Sequence, residues 1–167
     1  MITCDYARTM ATYNRWQNSS LYREADALTD AERKQQCGAF FGSIHGTLNH
    51  LLFGDQIWMH RFGGTPAPNA KSIAESVDAV PAWDDLKRQR AAFDDVIIGW
   101  AERLDPQWLA GDLTWFSGAL GREVTKPRAL LVAHFFNHQT HHRGQVHCLL
   151  TQFKRKPDAT DLPFMPT

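Results

Sequence analysis

Apolar side chains recur every three or four positions along most of the chain, the period of helices buried on one side. The first such stretch runs from about Asp5 to Leu28, with Tyr6, Met10, Tyr13, Leu21 and Leu28 on the repeat and Thr3 placed to cap it. Thr29-Asp30-Ala31-Glu32 has the form of a capping box and opens a short helix. Cys37 to Gly42 carries two glycines and reads as a connector. A second long helix is predicted from Ser43 to Gly63-Gly64, where paired glycines end the repeat. Thr65 to Val80 contains Pro66 and Pro68 and reads as a loop, with a turn of helix over Ile73 to Val77. The third long helix spans about Ala82 to Leu104, with Leu86, Phe93, Ile97 and Trp100 on its stripe, and Asp105-Pro106 ends it. Gly111 to Glu123 places three glycines among β-favouring residues, which predicts a small hairpin or ordered loop. Thr125 and Pro127 mark the start of a fourth long helix reaching about Phe153. The tail KPDATDLPFMPT carries three prolines and is expected to be irregular. The sum is an all-α chain, a four-helix bundle with long loops, in a single domain over residues 1–167.

Charge and composition then remove several functions. Lys+Arg and Asp+Glu both count 18, so no global field draws the chain to nucleic acid or to an anionic membrane. The basic run Lys154-Arg155-Lys156 is too short to change this. No apolar run approaches the length of a bilayer span, and no signal peptide is legible. Cys4, Cys37 and Cys148 form neither a disulfide framework nor a CxxC pair, so a soluble, cytoplasmic protein is expected. Neither G-x-x-x-x-G-K nor G-x-G-x-x-G occurs, so no phosphate-cradling loop is read.

Histidine is the residue type that changes the picture. There are eight, and five (His134, His138, His141, His142, His147) fall in the fourth helix. Residues four apart on a helix differ by about 40° in direction, so His138 and His142 point to one side, a turn apart. Leu131, Gln145 and Leu149 fall within about 20° of His138, which puts both imidazoles on a stripe with core residues. Buried imidazoles need partners for both ring nitrogens. Such a pair reads either as two hydrogen-bonded core histidines or as two ligands of a divalent cation of the zinc or nickel type. A third ligand from another helix separates the two readings, and His50 in the second helix is the candidate. Gly46 and Gly54 flank it one turn either side. Each costs a helix about 1 kcal/mol against alanine. They either clear an open space beside His50 for a water or substrate, or permit close helix–helix packing.

At these residues the sequence resembles the DinB family, within the DinB/YfiT-like superfamily of metal-binding four-helix bundles. The matching stretches are YNRWQN (Tyr13–Asn18), SIHGTLNHLLFGDQIWMHRF (Ser43–Phe62), NHQTHHRGQV (Asn137–Val146) and TDLPFM (Thr160–Met165). They span nearly the whole chain, and NHxxxHRGQ is the specific element. The resemblance implies a metal site of three histidines, His50, His138 and His142, with zinc or nickel as the cofactor. It also implies a metal-dependent thiol S-transferase, or a related small-molecule transferase or hydrolase, acting on a small, possibly thiol-bearing substrate. The alternative is a non-catalytic, damage-inducible protein whose metal is structural. His141 stands where relatives often have tyrosine and is not counted as a ligand. His134 is assigned to a supporting or surface role, and His45, His60 and His147 to solvated faces. Arg61 lies about 20° from the His50 direction, three turns on, either to meet an anionic cosubstrate or to form a surface ion pair. Arg143 points away from the histidines and is read as structural, with Gly144 admitting a neighbouring helix.

The fourth helix is also apolar opposite the histidines, through Val132, Phe136 and Leu150, and the second through Leu48, Leu52 and Met59. Helices apolar on both faces are buried on both. Either a symmetric homodimer or cover by the long loops, with Trp83, Trp108 and Trp115 in or near them, accounts for this.

Overall fold

The Thr3 hydroxyl accepts a hydrogen bond from the Tyr6 amide and starts α1 (Cys4–Asp26) in a computed structural model that describes residues 2–118 and 120–166. Thr29 and Glu32 close a full capping box on α2 (Asp30–Lys34). Ser43 caps α3 (Ile44–Arg61) by accepting from the Gly46 amide at 3.0 Å. Beyond that helix Gly63 takes a φ of +82°, the left-handed turn that glycine adopts without strain. A single helical turn, α4 (Ile73–Ser76), forms inside the proline-bearing loop, and α5 (Trp83–Glu102) follows.

Two departures from the sequence reading come next. Asp105-Pro106 ends α5 but also starts α6 (Pro106–Ala110), because the Asp105 carboxylate accepts from the Gln107 amide at 2.8 Å and Pro106 needs no partner. The hairpin is longer than the glycine pattern suggests. Its strands, β1 (Asp112–Ser117) and β2 (Arg122–Pro127), pair antiparallel with Leu113 opposite Lys126 and Trp115 opposite Val124. Thr125 is therefore a strand residue, its hydroxyl 2.7 Å from that of Thr114, and α7 (Arg128–Gln152) begins directly after Pro127. The chain is mainly helical with a small two-stranded sheet. No described helix is long and apolar enough to cross a membrane.

The four long helices contact one another in a ring: α1 packs on α5 and α7, and α3 packs on α5 and α7. Two apolar clusters fill its ends. One joins Ala7 and Ala11 to Met59, Ile97, Trp100, Val132 and Phe136; the other joins Leu21 and Tyr22 to Ile44, Leu48, Leu86, Val146 and Leu150. Full burial of a side chain of this size stabilises by roughly 1.5–3 kcal/mol. These clusters contain Val132, Phe136, Leu150, Leu48, Leu52 and Met59, so both apolar faces of α3 and α7 are covered within one chain. The residues that suggested a homodimer do not require one.

Between the clusters lies a buried polar layer. Arg90 of α5 binds Asp55 of α3 at 2.7 Å and Asp94 at 2.9 Å; Asn18 of α1 donates to Asp94 at 2.9 Å, and Gln139 of α7 donates to Asp55 at 2.9 Å. Every long helix contributes one residue or more. Burial alone would lower the Arg90 pKa, but Asp94 and Asp55 reverse this and hold it above the ordinary arginine value. A charge at this depth is tolerated only because it is paired and hydrogen-bonded.

The tail is more ordered than its prolines imply. It runs along α1, where Tyr13 donates to the Thr160 carbonyl at 2.6 Å and Gln17 to the Ala159 carbonyl at 3.0 Å. The Asp158 amide donates to Ser20 at 2.8 Å, and a 3₁₀ turn forms at Leu162–Phe164. YNRWQN and the TDLPFM stretch, far apart in sequence, are thus hydrogen-bonded to each other at Tyr13 and Thr160.

Candidate metal centre

His138 and His142 stand one turn apart on α7, and their Nε2 atoms are 3.1 Å apart. His50 reaches them from α3, its ring 4.8 Å from that of His142 and 5.5 Å from that of His138. One ring nitrogen from each of the three lies within 4.8 Å of the others. Nitrogens bound tetrahedrally to one zinc-sized ion would sit about 3.4 Å apart, given bonds of 2.0–2.1 Å. Small side-chain rotations separate the two arrangements, and three imidazoles form a donor set that suits zinc or nickel.

Hydrogen bonds fix which nitrogen faces the cluster for two of the rings, His50 and His142. The Ser76 hydroxyl donates to the Ile73 carbonyl at 2.6 Å, so its oxygen is left to accept from Nδ1 of His50 at 3.0 Å. The His50 proton is thereby held on Nδ1 and the lone pair on Nε2. On α7, Nδ1 of His142 donates to Oε1 of Gln145 at 2.7 Å, while the Gln145 amide donates to Nε2 of His141 at 3.2 Å. The His142 lone pair also lies on Nε2, toward His138. Two rings held from behind with their lone pairs inward form the outer support found around metal-ligating histidines.

Burial keeps these rings neutral. It pushes the His50 pKa down to about 4, helped by His142, and that of His138 down to about 3, helped by His142 and His50. His142 is shifted the same way by burial, against its Gln145 hydrogen bond. All three therefore present lone pairs at neutral pH.

Sequence spacing singles out the three histidines, and Gln145 is legible as the last residue of HRGQ. Ser76 is not, because it lies 26 residues from His50 on a different element. Phe41 is also unsignalled; its ring stacks on His50 at 3.7 Å and covers one side of the cluster. The open space expected beside His50 is present as a cleft of about 790 Å³, lined in part by His50, His138, His134 and Trp58. The flanking glycines do not act as that expectation supposed. A Cβ on Gly54 would come within 2.7 Å of the His138 ring, so this glycine makes room for a histidine of the cluster itself. A Cβ on Gly46 would meet the Phe41 carbonyl at 2.4 Å, so that glycine admits the connector that carries Phe41.

The remaining expectations divide. His134 lines the cleft, its ring 5.1 Å from Trp58 and 5.9 Å from His138. His45 is not on a solvated face; it is 2% exposed and bonds the Val80 carbonyl through Nε2 at 3.1 Å. His60 is exposed, with Nδ1 2.9 Å from the Thr65 carbonyl. His147 is partly buried. Arg143 is buried away from the cleft, over the Tyr13 ring, and burial pushes its pKa down to about 10. Gly144 admits no neighbouring helix, since nothing lies within 4 Å of where its Cβ would be. Arg61 lies over the Trp58 ring and forms no ion pair among the described residues.

Fold and cluster together define a helical protein whose facing long helices bring three imidazoles together, two of them, His50 and His138, lining a cleft. The chain belongs to the DinB family, whose profile matches residues 1–167. It is 25% identical over 153 residues to Protein DinB of Bacillus subtilis (strain 168), covering 89% of this chain and 86% of that one. No solved structure matches the chain.

Proposed function

We propose that this protein holds a divalent transition metal, zinc or nickel, on His50, His138 and His142, and serves as a thiol S-transferase or a related small-molecule transferase. The observation that carries the reading is the pair of fixed tautomers. Ser76 and Gln145 leave the Nε2 lone pairs of His50 and His142 facing into a cluster that opens on a cleft. An ion with three protein ligands keeps part of its coordination sphere open, and lowers the pKa of a thiol or water bound there.

The chain's own residues account for the rest of the site. Ser76 and Gln145 orient the rings, Phe41 shields one side, and the cleft gives access on another. Ser76 is no nucleophile, since it is fully buried and its proton is engaged by Ile73. Cys4, Cys37 and Cys148 do not line the cleft. The nucleophile in this reading comes from the substrate, as a thiol suits.

A working ion is favoured over a structural one, because the four long helices of this DinB/YfiT-like bundle have other ties. Two apolar clusters and the Asp55–Arg90–Asp94 layer already join α3, α5 and α7. Metal analysis of the purified protein tests the site: about one equivalent is expected in the wild type and far less in His138→Ala. Equal content in the variant overturns the assignment. Circular dichroism of the chelated protein then separates the roles, a folded apo form marking a working ion and loss of fold a structural one. A screen of thiols with electrophiles, on wild type and His138→Ala, reads the transfer itself.

A further inference from the structure

The cleft extends beyond His134 to Arg61 and Lys71. Arg61 is partly buried, and its guanidinium lies 4.6 Å from the Trp58 ring centre and 5.7 Å from that of Trp115. Stacking occupies the face of the guanidinium and leaves its edge, where the N–H donors lie, free for a planar acceptor. Other shielded arginines of this chain do have acceptors: Arg90 binds two carboxylates, Arg33 binds the Ala25 carbonyl at 3.1 Å, and Arg128 binds the Trp108 carbonyl at 3.1 Å. Arg61 has none among the described residues, although burial disfavours its charge. No carboxylate is among the described residues that line the cleft. The acidic residue close to Lys71 in sequence, Glu75, has its carboxylate engaged by the Lys71 amide at 2.8 Å and the Ser72 hydroxyl at 3.2 Å, and pairs with neither Arg61 nor the Lys71 ammonium. Phe53, Ile57 and Ile73 supply apolar wall between this end and the histidines.

We propose that Arg61, with Lys71 beside it, binds the anionic head group, carboxylate or phosphate, of a small molecule whose apolar or aromatic body lies along the cleft. The inference deepens the function proposed above and rests on it for one point, that the reactive end of this molecule reaches the histidine cluster. The cleft volume of about 790 Å³ is that of a site for a molecule of metabolite or drug size. Arg61 acts as a specificity residue: it fixes one end of the ligand and rejects neutral analogues, which leave the guanidinium unpaired.

The test uses the metal-free full chain, because an anion could also bind a metal. Quenching of tryptophan fluorescence, read near Trp58 and Trp115, follows titration with 4-phenylbutyrate, phenyl phosphate and the neutral 4-phenylbutanol. One anion is expected to bind at least about tenfold more tightly than the alcohol, the scale of a charge-assisted hydrogen bond. Which anion wins identifies the head group. Arg61→Met is expected to erase the preference and Arg61→Lys to keep part of it, both with wild-type metal content and circular dichroism. Equal affinity for anions and alcohol, a preference unchanged in Arg61→Met, or no binding of any probe overturns the proposal. An intact anion preference in a protein that binds no metal overturns the metal assignment alone.

Discussion

The Ser76 hydroxyl faces two ways: its proton goes to the Ile73 carbonyl at 2.6 Å, and its oxygen accepts from Nδ1 of His50 at 3.0 Å. A single turn of helix in a loop thus decides which nitrogen of a histidine on α3 is free to bind. Ser76→Ala removes the acceptor and lets the His50 proton move to Nε2. Metal affinity, measured by competition with a chromogenic chelator, is expected to fall 10- to 100-fold. Gln145→Leu should do the same through His142. Affinity unchanged in both variants would show that the ring orientations do not depend on these partners.

Alanine at Gly54 and at Gly46 should part company, although each is a mid-helix glycine that alanine would ordinarily stabilise by about 1 kcal/mol. At Gly54 the new methyl meets the end of the His138 side chain, which can rotate away. Thermal stability is expected to hold while metal affinity drops. At Gly46 the methyl meets the backbone carbonyl of Phe41, which cannot yield without moving the connector, and a loss of about 1–3 kcal/mol is expected. Chemical denaturation of both variants reads the contrast, and a reversed order would contradict these placements.

Acid should weaken the metal-free fold, and the sign follows from linkage. His50 and His138 have folded pKa values of about 4 and about 3, below the ordinary 6.5. Between those limits the unfolded chain binds more protons than the folded one, so stability rises with pH. The contribution is complete above about pH 6.5 and is lost as pH falls through the window toward 3. Thermal melts of the chelated protein from pH 7.5 to 4 should show this decline, with a shallower slope in His138→Asn. Equal slopes would mean that the ring is not held neutral.

Asp55 is fully buried and is the partner that Arg90 shares with Gln139. Asp55→Ala leaves the buried Arg90 guanidinium with Asp94 as its one carboxylate and takes the acceptor from Gln139, and a loss of about 1.5–3 kcal/mol is expected in urea unfolding. The triple variant Asp55→Leu, Arg90→Met, Asp94→Asn removes all three charges and should recover much of that loss. If the triple variant is as unstable as the single one, the layer does more than satisfy its own charges.

The long helices and the His138–His142 pair were legible because each rests on a local repeat, whereas His50 was marked by its flanking glycines and by the family resemblance. The 3.6-residue period marks α1, α3, α5 and α7, and i,i+4 spacing puts His138 and His142 on one side. Residues whose meaning lies in a distant partner were not. Asp55, Arg90, Asp94 and Gln139 read as scattered polar positions until four helices bring them to one level. His45 looked solvated because only the Val80 loop, 35 residues on, supplies its acceptor. Asp105-Pro106 was read as a stop and is also a start, since one Asx cap serves the next helix as readily as it interrupts the last. The tail was judged by its prolines, while its order comes from Tyr13 and Gln17 on the opposite end of the chain.

The donor set is divided unequally, with two imidazoles contributed by α7 and the third by α3. An excised peptide of α7 would lack the imidazole that α3 contributes to the cluster. On the proposed site, any opening that slides α3 off α7 would take one of its three ligands from the ion. Ion release would then gauge the seam between those two helices, and it can be followed at equilibrium without any enzymatic assay.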